Sequence, residues 1–122
     1  MKKTILGLSV LVVVFLMAQG KQADDLDPLK VAGDTHKLAF ENAFVRVLDV
    51  RLPPGKLEPM HRHPHGLSVY FHDWDAQVTV RGKAPETHPR KAGSFAWSEA
   101  VVHEVRNASK TEAHILRIEL KF

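Results

Sequence analysis

Two histidines separated by one residue, His61 and His63, are the side chains of this chain best placed by spacing to do chemistry. On an extended strand, residues two apart face the same side, so the pair aims two imidazoles at one point while Arg62 faces away. Neutral imidazole carries a free lone pair and suits zinc, copper, nickel and iron, so the pair forms half of a metal site. A further histidine stands in Val101-Val102-His103-Glu104-Val105. Alternation sets Val101, His103 and Val105 on one face, which predicts that His103 points into a core or a barrel cavity. On these residues alone, a hydrogen-bonded core histidine and a metal ligand are both open readings of His103.

The elements that must carry these side chains read as short strands. Val45 to Leu52 alternates with Val45, Val47 and Asp49 on one face and ends at Pro53-Pro54-Gly55. Further strands are expected at Met60 to His63, Leu67 to His72, Ala76 to Arg81, Ser94 to Trp97, Val101 to Val105 and His114 to Leu120. Turns are expected at Asp73 to Asp75, Gly82 to Pro85, Ala92-Gly93 and Asn107 to Lys110. Such spacing, without a helical period of a dozen residues, predicts an all-β sandwich or barrel.

The first twenty of the 122 residues have a different texture. Lys2 and Lys3 precede an apolar run from Ile5 to Met17, and small residues stand at Ala18 and Gly20. This is the layout of a cleaved signal peptide, and the run is shorter than the ~20 residues of a spanning helix. The expected organisation is a signal peptide at 1–20, a flexible polar leader at 21–35 and one domain at 36–122, exported to the periplasm or secreted, with no stable membrane insertion after cleavage. The formal charge of +3 includes those two lysines, so the remainder carries +1. Lys and Arg alternate with acids instead of forming a stripe, which argues against nucleic acid as a partner. Cysteine is absent, which excludes disulfides, thiolate ligands and a cysteine nucleophile. No serine sits in a nucleophile elbow, and no glycine-rich phosphate loop is present.

Gly55, five residues, then His61-Arg62-His63 resembles the opening of the first cupin motif, and Gly93 through His103 to Asn107 resembles the second. Phe40-Glu41-Asn42 with Val45 to Leu48, and the ending Ile115 to Leu120, are similar to small single-domain cupins of the conserved-barrel type. The resemblance spans about residues 36 to 122 and implies a double-stranded β-helix, or jelly-roll barrel, which closes its sheets against exposed edges. It also implies that His61, His63 and His103 together hold a divalent transition metal. Three imidazoles suffice to hold such an ion and leave a position for water or substrate. The chain departs from the motifs where a glutamate is expected, since Leu67 or Ser68 fills that slot, and Ser98-Glu99-Ala100 replaces Pro-x-Gly. Lacking that carboxylate, the site is expected to favour zinc, copper, nickel or iron over harder ions.

His65 lies between Pro64 and Gly66 in a turn context that rotates it away, and His72 depends on the register of its strand. His88, beside Pro89, reads as an edge residue, and His36 and His114 as surface or strand-end residues. Trp74 and Trp97 are expected in the core or lining a cavity. Two function classes follow. One is a metal-dependent enzyme, a dioxygenase or isomerase acting on a small organic molecule. The other is a barrel that binds a metal or small ligand without turnover, and a third reading leaves the histidines hydrogen-bonded to one another. Small cupins pair through sheet edges or faces, so a homodimer is the expected assembly.

Overall fold

The computed structural model describes residues 25–122; the expected signal peptide lies outside the described residues. A short helix, α1 (Pro28–Val31), precedes β1 (His36–Glu41), β2 (Val45–Leu52), β3 (Leu57–His63), β4 (Gly66–Tyr70), β5 (Trp74–Val80), β6 (Glu86–Arg90), β7 (Phe95–Ser98), β8 (Val101–Asn107) and β9 (Ala113–Leu120). The strands form two antiparallel sheets, β1-β2-β9-β4-β7 and β3-β8-β5-β6. Every strand expected from the alternation is present. Two more, β1 and β6, have patterns too short or too broken by proline to stand out.

The inner faces follow the two-residue period. On β9, Ala113, Ile115, Arg117 and Glu119 are buried on one face. On β2 the buried set is Leu48, Val50 and Leu52, the opposite parity to Val45, Val47 and Asp49. Both faces of that strand carry valine or leucine, so pattern alone does not choose between them. These inner faces meet Tyr70, Trp74, Ala76 and Val105 in the core.

From residue 25 on, the segment expected as a flexible leader has a defined place in the fold. The Asp27 carboxylate accepts from Leu29 N–H at 2.8 Å, and Pro28 occupies the first turn, where its missing N–H costs nothing. Arg62 N–H donates to Leu26 O, and α1 lies against β3, with Ala32 and Thr35 buried. The polar sequence of this stretch is used for capping, which a search for apolar periodicity does not detect.

Three turn glycines have positive φ, Gly55, Gly82 and Gly93, each with open space where a Cβ would stand. Gly66 is different, because a Cβ there would lie 2.0 Å from Ile118 O on the neighbouring strand β9. Gly66→Ala is therefore expected to destabilise by about 3 kcal/mol or more, near the top of the range for single substitutions. Gly82→Ala, which meets only backbone strain, should cost about 1 kcal/mol. Urea unfolding of the two variants measures the contrast, and equal losses would contradict the close approach of β4 and β9.

Candidate metal centre

The site is built on β3. Glu58 and His61 are three residues apart, and on a regular strand they would face opposite ways. The register with β8 shifts between them, and this bulge brings Glu58, His61 and His63 to the inner face. Pro59, which has no N–H to give a ladder, sits within it. Across the sheet His61 pairs with His103 and His63 with Val101, so the inward face expected for His103 is the one it takes. Val101, His103 and Val105 all line one cavity of about 440 Å³.

A fourth imidazole comes from His36, expected at the surface or a strand end. It does begin β1, but it is 2% exposed and points inward opposite Val50. Its ring lies 5.1 Å from that of His61 and 5.6 Å from that of His63, centroid to centroid. Ligand atoms of His36, His61 and His63 all lie within 4.8 Å of one another. His103 adjoins this group through Nε2, 3.2 Å from Nε2 of His61. The sequence signal for His36 was only that it is a histidine at the start of an apolar stretch, because its inward direction depends on α1 feeding the chain into β1.

Hydrogen bonds to oxygens that only accept fix the tautomer of His61 and His63. His61 Nδ1–H donates to Pro59 O at 2.7 Å, within the bulge. His63 Nδ1–H donates to Glu119 Oε1 at 2.6 Å, and carboxylate and carbonyl oxygens can only accept. His36 Nδ1 lies 3.1 Å from the Thr35 hydroxyl, which can donate either to Ala32 O or to the ring. In His61 and His63 the proton sits on Nδ1 and the lone pair on Nε2. Histidine metal ligands are oriented in this way by outer partners, a carboxylate or backbone carbonyl above all.

Charge is arranged to keep these rings neutral. Burial lowers the His36 pKa to about 3, helped by His61 and His63 beside it. His103 is lowered to about 2 by burial and the same neighbours. His61 and His63 are lowered as well, chiefly by burial, and His63 feels Arg117 and Arg46 in addition. Glu119 does not reverse this for His63, because its other oxygen is held by Arg46 Nε at 2.6 Å. Glu58, 3.5 Å from His36 Nδ1, has its pKa raised by burial to about 7.

The remaining motif positions have other roles. Leu67 and Ser68 offer no carboxylate, and the two buried carboxylates near the histidines, Glu58 and Glu119, come from β3 and β9. Asn107, in the second motif, is fully buried and closes the β8–β9 turn. It donates to Leu52 O and Thr111 O and accepts from Ser109. His65 stacks on Trp97 outside the cluster, His72 lies on the surface beside Glu112, and His114 pairs with Asp49 at 2.7 Å. Trp74 is buried, whereas Trp97 is a half-exposed wall of the cavity.

No protein-family model and no curated protein matches the chain. Solved structures do. A cupin domain from Bordetella pertussis Tohama I is similar with 27% identity and a TM-score of 0.67, over 71% of this chain and 92% of that one. A cupin-family protein from Methanocaldococcus jannaschii, described as a double-stranded β-helix, is similar with 14% identity and a TM-score of 0.57, covering 70% and 77%. A cupin superfamily protein from Desulfitobacterium hafniense DCB-2 has 13% identity and a TM-score of 0.54, covering 70% and 74%. The chain thus has the fold of a small cupin domain, a double-stranded β-helix, and inside it the cluster of His36, His61 and His63 could bind a metal ion.

Proposed function

We propose that this chain is an exported cupin that holds one divalent transition metal on Nε2 of His61 and His63, completed by His36 and His103, and acts on a small organic molecule in the adjoining cavity. The observation that carries the reading is the clustering of His36, His61 and His63 with ligand atoms within 4.8 Å of one another, the Nδ1–H of His61 and of His63 each being committed to an oxygen so that the lone pair is on Nε2. Water-exposed histidines would need no such fixing. Imidazole donors and the absence of a carboxylate from the expected slot favour zinc, copper, nickel or iron.

Such an ion supplies Lewis-acid chemistry and, if it is iron or copper, redox chemistry. The protein's own groups do the rest. Glu119 and Pro59 hold the two rings of β3 in position, the cavity walls exclude water, and Glu58, with its pKa near neutrality, holds or releases a proton beside His36. These features support an enzyme of the dioxygenase or isomerase kind. A metal-binding module without turnover is the second reading. The 3.2 Å approach of His103 to His61 favours a third, in which His103 Nε2–H donates to His61 and no ion is held.

Elemental analysis of protein purified without a histidine tag should find about one transition-metal equivalent. His61→Ala and His63→Ala should each remove it, and His36→Ala or His103→Ala should weaken binding at least tenfold against a chelator. Full metal content in a His61→Ala/His63→Ala variant would overturn the site. Oxygen uptake and product analysis over a panel of small thiols, diols and carboxylates separate the enzyme from the module.

A pH test follows from the buried imidazoles. In the unfolded chain these histidines take up protons near pH 6.5, whereas folded His36 resists to about 3 and His103 to about 2. The unfolded state binds more protons in that window, so stability of the metal-free protein must fall as pH drops from 7 towards 4. Denaturant midpoints of chelator-treated protein at pH 7 and pH 5 check this, and a flat profile would mean that the rings are not buried neutral.

A further inference from the structure

Arg117 stands on the inner face of β9, two residues before Glu119, and lines the same cavity as the histidines. It is 4% exposed. Its Nη1 donates to Ser98 Oγ at 2.8 Å and to Ser68 Oγ at 3.4 Å, and its Nη2 donates to Pro64 O at 2.6 Å. Each of these acceptors is uncharged. Its Nε–H is buried with no acceptor among the described residues, and no carboxylate there forms an ion pair with it. Glu119 is nearby on the same face, but its oxygens are taken by His63 and Arg46.

A buried guanidinium without a direct ion-pair partner is costly, and an N–H left without an acceptor adds to that cost. Arg90, over the Tyr70 ring at 5.1 Å, also lines the cavity and also has a buried Nε–H without an acceptor. Of the acids in the lining, Glu99 is tied to Trp97 Nε1 at 2.8 Å and Glu58 sits at the histidine end. With Lys83, Arg90 and Arg117 against Glu58 and Glu99, the lining carries surplus positive charge, and Val78, Ala96 and Ile115 give it apolar walls.

We propose that this cavity takes a small organic carboxylate, with Arg117 as the residue that binds it. The inference deepens the metal-centre reading and rests on it for the assignment of a substrate, although anion binding can be measured separately. A planar carboxylate accepts from Nε–H and a neighbouring Nη–H together, which a neutral isostere does not. Apolar walls fit an organic body, and the acids in the lining disfavour a multiply charged phosphate. Arg117 would set where the carboxylate end of the molecule is held.

The test compares propionate and benzoate with propionamide and benzamide by titration calorimetry and thermal shift, on chelator-treated and on zinc-loaded protein. The acids should bind the chelator-treated protein at least tenfold more tightly than their amides. Arg117→Met should erase that preference, and Arg117→Lys should restore part of it. Acid and amide binding alike, or neither binding, overturns the proposal on the unaltered protein, whether or not the variants fold. Acid binding that requires zinc and survives in Arg117→Met overturns it while leaving the metal centre intact. A protein that holds none of zinc, copper, nickel or iron yet keeps the acid preference supports the carboxylate site and defeats the metal reading.

Discussion

The structure depends on keeping a group of imidazoles buried, uncharged and fixed in orientation. His61 is fully buried, and His36 and His63 nearly so, within a cavity whose other walls are largely apolar. Burying an ionised group costs far more than burying a neutral one, so burial itself selects the uncharged form. A neutral imidazole still has one N–H that must find an acceptor, and in His61 and His63 it is Nδ1–H. Satisfying that donor decides where the lone pair goes. Reactivity towards an ion is in this sense a by-product of settling the hydrogen bonds of the core.

Those acceptors are held by the frame rather than by the histidines' neighbours in sequence. Glu119 serves His63 from β9 while Arg46, on β2, grips its other oxygen. Arg46 reaches further, to Asp27 at 2.7 Å, and Asp27 also caps α1. A line of charge and hydrogen bonds thus runs from the N-terminal helix to a ring of the cluster. The same helix leads into Thr35 and His36, so two sides of the site are fixed by a segment outside the paired strands. Buried pairs of this kind add little net stability, but losing one partner leaves a charge stranded.

The cavity is lined by the histidines and Arg117 together with apolar side chains such as Val78, Ala96 and Ile115. That pattern orients a small molecule more than it tightens its binding, since the few polar groups fix direction and the apolar area supplies the attraction. The fold supplies the container, and the choice of molecule belongs to the inward residues of β4, β7, β8 and β9.

The sequence by itself determined the period-two strands, most of their turns, though not the one expected at Asp73 to Asp75, where β5 already begins at Trp74, and therefore an all-β sandwich or barrel. It also determined that His61 and His63 share a face, because that follows from residues two apart on one strand. The inward direction of His103 was legible in the two valines beside it. His36, Glu119 and Arg117 were not legible as parts of one site. Each stands on a different local background, and only the pairing of β1 with β2 and of β9 with both β2 and β4 turns them to one cavity. The parity of β2 was undecided for the same reason, as both of its faces carry apolar residues. The bulge at Pro59 is a further decision of the tertiary structure, since its shift in register exists only with respect to β8. Local spacing fixes which side chains on one strand agree in direction; which strands face each other, and so which side chains meet, is set by long-range pairing.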